Sequence, residues 1–472
     1  MKKVLVVLAV VAAIAIGAYY LFFNKSDVCK NVVPEDAKAV LVFDGKELVK
    51  QLDFSLGDII DLLRQNDDEK EDIGIDFLSP MYGFVSSDNY VCGVLPLSDA
   101  DAFKKSLNLT AESQRGFKWA YMKDVLVCYD SQRALLMGPV SKAESDGMRG
   151  KVAEWMNQGS HKVPMLSSID DEDGILRLRT SLGVIPEKYK SQFAMMYKDV
   201  DLNNVFFNLA FNIKEKALVL SSEVDSKDEE YTRLLSEWIG YSHPIKSGQL
   251  QTPYEKPLAF VALNMNGEDM CNKLSKMTPY FGMMLGQMNM FCNAGMMLQA
   301  INGNVTVAID DITENLPKFY VTAQVKNKDF MNGAEKWGDG LAAMGMQCQQ
   351  VEADNFMLAA NGSKIYLGVR DDMLYFASDY DAAKGGKFSS LKDGSSLKSL
   401  AKGKLSYISL DIDKLEDSPL AKSAVEGKDE TLTAFLAYFD RLNLSTSKDK
   451  NIEVELTTKQ KISDLIKTSL KK

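Results

Sequence analysis

Histidine is almost absent from this chain of 472 residues: there are two, His161 and His243, both in polar, loop-like contexts. Nucleophilic triads and zinc hydrolases are built around a positioned imidazole, and the HExxH, GxSxG and paired-histidine spacings are all missing. Chemistry of that kind is disfavoured. The six cysteines, at 29, 92, 128, 271, 292 and 348, include no CxxC, which leaves zinc-finger and thioredoxin-like readings without support. In an exported chain Cys92 with Cys128, or Cys271 with Cys292, could pair; the plainer reading is small buried hydrophobes. No basic run is longer than the Lys471-Lys472 tail and the formal net charge is −10, so the clustered cations that hold nucleic-acid phosphates are lacking. Nucleic acid is not an expected partner. Gly385-Gly386-Lys387 lacks the upstream glycine of a phosphate loop, and no cofactor is expected.

What is present begins with an apolar run. Lys2 and Lys3 precede twenty uncharged residues, 4–23, which as a helix would span roughly 30 Å, the thickness of a bilayer core. Tyr19, Tyr20, Phe22 and Phe23 stand at its far end, where interfacial aromatics belong. The lysines favour an inside amino terminus, so the reading is an uncleaved transmembrane anchor in the lipid bilayer, with the bulk of the chain outside the cytoplasm. Ala13-Ile14-Ala15 offers a signal-peptidase site, but cleavage there would leave a greasy IGAYYLFF start.

The remaining chain is too long for one core, and with 46% hydrophobic and 25% charged residues it has an ordinary globular composition. It is organised around AVLVFD followed by GKELVKQL, a strand, a turn at Asp44-Gly45 and an amphipathic helix. LAFVALNMNGEDMCNKL, from Leu258, echoes it with a turn, Asn264-Met265-Asn266-Gly267, that reads as two residues longer. Behind each copy the elements recur in order: DVLVCYDSQRALLMGP lies over SKIYLGVRDDMLYFAS, GILRLRTSL over GKLSYISLDI, and NLAFNIKEKALVLSSE over LNLSTSKDKNIEVELTT. The collinearity, more than any one match, points to an internal repeat of domain size. Hairpins broken by helices give an α+β class. The expected layout is an anchor or signal at 1–24, a tether at 25–32, a first domain at 33–240, a Pro- and Gly-containing linker at 241–256 and a second domain at 257–472, each domain an antiparallel sheet with covering helices.

Val33-Pro34-Glu35-Asp36-Ala37, just ahead of the first strand, resembles the opening of a family of exported proteins common in gut Bacteroidota, the domain of unknown function 4836. The resemblance implies a cell-envelope address and brings no activity and no functional residues. The chain departs from lipoprotein-like relatives, because Ser26-Asp27-Val28 ahead of Cys29 is not a lipobox.

Two stretches invite a site. Asp170-Asp171-Glu172-Asp173-Gly174 suggests calcium, but Ile169 occupies a position where an EF-hand needs an oxygen ligand, and a solvated turn is the simpler reading. Seven methionines crowd 277–297 beside Cys292. Soft sulfur suits copper(I), yet the corresponding stretch SLGDIIDLLRQ carries leucine and isoleucine, so core packing or an adaptable contact surface accounts for them better. Met283, Met284, Met288, Met290, Met296 and Met297 are the residues that would touch a ligand or partner, an envelope protein or a glycan. The functional expectation is a non-catalytic binding or scaffold module of the envelope. The alternatives are a hydrolase using paired carboxylates, which need no histidine, and a chaperone-like holder of apolar clients.

Overall fold

The computed structural model describes residues 28–54, 73–170, 173–185, 199–254, 256–277, 279–312, 316–342, 345–360, 362–378, 380, 383, 396–416, 418, 430–448 and 451–470. The run at 4–23, the helical stretch expected at 55–65, the charged loop 67–72, the helix expected near 189–197 and Gly385-Gly386-Lys387 lie outside the described residues.

One compact unit holds residues 1–229 together with 458–472. Its strands are β1 (Ala39–Phe43), β2 (Met81–Val85), β3 (Val91–Pro96), β4 (Glu112–Gln114), β5 (Phe117–Met122), β6 (Val125–Tyr129), β7 (Arg133–Gly138), β8 (Leu176–Ser181), β9 (Val205–Lys214) and β10 (Ala217–Ser226). They hydrogen-bond in the order β4-β5-β6-β7-β3-β2-β1-β8-β9-β10, antiparallel throughout. Local chemistry starts each helix. Asp44 caps α1 (Gly45–Gln51) by accepting from the Glu47 amide at 3.0 Å, and a Cβ on Gly45 would lie 1.8 Å from the Phe77 carbonyl oxygen, so only glycine fits the turn. Asp99 caps α2 (Ala100–Ser106), and Ser141 with Glu144 forms a capping box on α3 (Lys142–Asn157). Val152, Trp155 and Met156 of α3 close over the apolar sheet face formed by Val40, Phe84, Cys92, Val94, Leu126 and Leu135, with the Phe84 and Trp155 rings edge to face at 5.4 Å.

The other compact unit holds residues 230–457. Its strands are β11 (Ala259–Asn266), β12 (Ile301–Asp311), β13 (Lys318–Val325), β14 (Gln347–Glu352), β15 (Asn355–Ala360), β16 (Ser363–Arg370), β17 (Met373–Ala377), β18 (Ser406–Asp411), β19 (Phe439–Thr446) and β20 (Ile452–Thr458). Their order is β14-β15-β16-β17-β13-β12-β11-β18-β19-β20. The opening turn is not lengthened, as the sequence had implied. β11 runs on to Asn266, and α4 (Gly267–Met277) starts at Gly267, where a Cβ would lie 1.9 Å from the Leu298 carbonyl oxygen. Asn266 accepts from the Asp269 amide at 3.2 Å, so Asn266-Gly267 starts α4 as Asp44-Gly45 starts α1, and the two added residues extend the strand. α5 (Pro279–Cys292) and α6 (Ala294–Ala300) follow, broken at Asn293, which takes the left-handed φ of 52° that asparagine tolerates. Residues 241–254 are built into this unit, with Ile245, Leu250 and Tyr254 buried in its core.

Two tandem domains were expected, and that architecture is overturned. The twenty strands form one sheet, and among the described residues no helix is long and apolar enough to cross a membrane. The units are not successive in the chain either. The last helix, α7 (Ile462–Leu470), buries Ile462 and Ile466 against Leu48, Leu52, Ile175 and Ile213 of the first unit. Glu215 accepts from Lys461 at 2.7 Å and its carbonyl from the Ile462 amide at 3.0 Å. The physical reason lies in the first unit's core: Leu48, Leu52, Ile175 and Ile213 are covered by side chains of the chain's last helix, so the first repeat does not complete its own unit. The α+β class stands.

Candidate functional site

A row of side chains crosses the second unit on one sheet face. Register places Ala262, Thr306, Thr322, Tyr375, Gly368 and Asn355 side by side on β11, β12, β13, β17, β16 and β15. At the same places in the first unit stand Val42, Tyr82, Val94, Leu135, Cys128 and Trp119, all buried. The first row is bulky and mostly apolar, its polar atoms confined to Tyr82, Cys128 and Trp119. The second carries hydroxyls and an amide, and at its outer end a glycine and an asparagine replace Cys128 and Trp119.

That exchange opens a cleft. A Cβ on Gly368 would lie 2.0 Å from Asn355 Oδ1 and 2.8 Å from the Tyr375 hydroxyl, so the bare glycine lets Tyr375 donate across β16 to Asn355 Oδ1. Tyr366 and Arg370, two residues either side of Gly368, share its face. The Arg370 guanidinium lies over the Tyr375 ring at 5.6 Å and its Nη2 donates to the Ala383 carbonyl at 2.8 Å. Tyr320 stacks on the far side of the same row, its ring 6.5 Å from that of Tyr375 and nearly parallel. Tyr380 meets Tyr366 at 4.8 Å and 45°, forming an aromatic wedge. Tyr366, Arg370, Tyr375, Tyr380 and Asn355, with Val351, Glu352 and Ala383, line a shallow, half-open cleft whose cavity volume is about 10 Å³, room for about one water.

Burial pushes the Tyr375 hydroxyl above its ordinary range; Arg370 pulls it back and Glu352 pushes it further up. Tyr320 is raised by burial as well. Both hydroxyls therefore keep their protons at neutral pH and act as donors. Among the described lining residues Glu352 is the one carboxylate, so no acid–base pair converges here, and among the described residues no group of three or more His, Cys, Asp or Glu could hold a metal ion. The arrangement offers donors and acceptors to a polar group that reaches the open mouth of the cleft.

The residues picked out from sequence are scattered. Met283 and Met296 are exposed, Met284 is half-buried, and Met297 lies in a core with Phe330, Trp337 and Phe356. The side chains of Met288, Met290 and Cys292 lie outside the described residues. Cys92, Cys128 and Cys271 are free and buried. Register explains why the first two do not pair: they lie two strands and two residues apart, roughly 12 Å, beyond the reach of a disulfide. Asp170 of the acidic stretch is ion-paired with Lys30, and Ile169 is fully buried. Sequence reasoning missed the cleft, whose one local signal is a glycine inside the strand SKIYLGVR.

A family profile described as "Domain of unknown function (DUF4836)" matches residues 56–463. The chain belongs to that family. No curated protein matches the DUF4836 chain. Solved structures similar to it include TP0453 in crystal form I, with a TM-score of 0.27 and 11% identity over 46% of this chain and 87% of that one. Crystal form III of TP0453 scores 0.27 at 10% identity, over 46% and 88%. Scores at this level carry no argument about fold or function.

Proposed function

We propose that the DUF4836 chain is a non-catalytic binding module of the bacterial cell envelope, with the tyrosine cleft of its second unit as the ligand site. The observation that carries this reading is the exchange of Trp119 and Cys128 in one unit for Asn355 and Gly368 in the other. The shared strand order supports an origin by duplication within one sheet, one half keeping a closed core and the other opening a site. The uncharged run 4–23 behind Lys2 and Lys3 supports the envelope address.

A second reading has its own support: Tyr280, Met283 and Met296 are 71%, 54% and 40% exposed on α5 and α6. Large apolar side chains displayed together favour contact with an apolar partner in the envelope.

The test uses the full-length chain in detergent, melted with and without a panel of small ring compounds. A ligand that binds the folded state raises the melting temperature by mass action, and that rise should vanish in Asn355→Ala. A panel without effect would sink the reading. So would turnover of chromogenic glycosides or peptides that Glu352→Gln abolishes.

A further inference from the structure

We infer that α5 and α6 lie in the interfacial region of a lipid bilayer, along the membrane surface and not across it. The inference rests on the envelope address and names what covers the apolar side chains displayed on these helices.

α5 is apolar on every side. Its 14 residues, PYFGMMLGQMNMFC, include no charged group. Neither does any residue from 277 to 309, in a chain of which 25% is charged. The corresponding stretch of the first repeat carries Asp58, Asp61 and Arg64. A helix apolar all round belongs in a protein core or a membrane, yet α5 is buried on one side only, through Leu285. Tyr280, Met283 and Gln287, spaced by three and four residues, form an exposed stripe along the other. Met296 of α6 is exposed as well, and its amide donates to Asn289 of α5 at 3.1 Å. At about 1.5 Å per residue α5 is about 21 Å long, short of the roughly 30 Å of a bilayer core. It is therefore built to lie in the interface.

Two further features select lipid over a protein partner. A protein interface carries about one hydrogen bond per 100–200 Å², but the exposed stripe offers only the Tyr280 hydroxyl and the Gln287 amide. Its backbone groups bond within the helix, as hydrocarbon surroundings demand. In addition, Tyr280 stands four residues after Lys276, and both are exposed. An aromatic ring beside a cation suits the membrane–water boundary, where the ring sits at headgroup level and the cation meets anionic lipid.

The experiment places the full-length chain, one copy per disc, in nanodiscs of phosphatidylethanolamine and phosphatidylglycerol. Methionines are oxidised with chloramine-T, an anion that stays in the water, and each site is read by peptide mass spectrometry. Met283 and Met296 should oxidise about tenfold more slowly than a free methionine dipeptide, whereas the 54% exposure of Met283 in the fold alone would slow it only about twofold. Tyr280→Asp, which sets a charge in the interface, should restore most of that rate. Oxidation near the dipeptide rate, or protection indifferent to Tyr280→Asp, overturns the inference while the envelope address stands. Protection that appears only with several copies per disc overturns it in favour of a second copy of this chain. A chain that does not enter the discs overturns both the inference and the address.

Discussion

Tyr375 donates its phenolic hydroxyl to Oδ1 of Asn355, two strands away, over the bare backbone of Gly368. Removing the hydroxyl alone, in Tyr375→Phe, leaves the acceptor on Asn355 short of a donor and should cost about 1 kcal/mol. Adding a side chain at Gly368 should cost more. Its Cβ would sit 2.7 Å from the Asp354 carbonyl oxygen, which is backbone, as well as 2.0 Å from the amide, so Gly368→Ala is expected to lose about 1–3 kcal/mol. Chemical denaturation of each variant against the parent checks both values and their order.

The buried thiols predict a pH dependence. Burial pushes Cys92 up to about 12, with Lys151 pulling slightly the other way, and pushes Cys128 in the same direction. An unfolded chain releases these protons near about 8.5. The folded state thus holds protons that the unfolded state has lost, and their contribution is full below about 8.5 and fades as pH rises through the folded value. The denaturation midpoint should fall with rising pH across that window, and less steeply in Cys92→Ala. Iodoacetamide at pH 8 should leave both cysteines unlabelled in the native protein and label them after denaturation, read by peptide mass spectrometry.

Ile466 is 1% exposed in a core shared with Leu48 and Leu52. Ile466→Ala should cost about 2–5 kcal/mol, seen as a lower denaturant midpoint. If α7 were a dangling tail, the midpoint would not move.

The two residues of the turn that starts α1 make a graded pair. Asp44→Ala removes one cap and should cost about 1 kcal/mol. Gly45→Ala drives a methyl into the Phe77 carbonyl at 1.8 Å and should cost more than the cap, or fail to fold; circular dichroism melts of both variants decide the order.

Much of the fold was legible because hairpins and capped helices carry local signals. Asp99 capping its helix, the β6–β7 and β9–β10 hairpins and α3 all follow from patterning. Two strands of the second unit did not: β14, QCQQVE, has no apolar alternation, and Asn355 to Ala360 reads as a loop until β16 lies beside it. The cleft was illegible for a related reason. Asn355, Gly368 and Tyr375 sit on separate strands and meet only through register, which no local motif encodes. The methionine run drew attention by composition, although Met297 is core. The return of the last helix to the first unit was illegible too, because Ile462 and Ile466 meet Leu48 and Leu52 only in the folded chain.

The return of residues 458–472 to the unit formed by the chain's beginning has a consequence for biosynthesis. Domains commonly fold in the order in which they leave the ribosome. Here the early unit lacks α7 until residues 230–457 of the other unit have been made, so its core closes late although most of it is synthesised first. A stalled or clipped chain would carry Leu48, Leu52 and Ile213 uncovered, a patch that quality-control proteases can read. Synthesis of α7 is thus the step that covers the apolar side of α1.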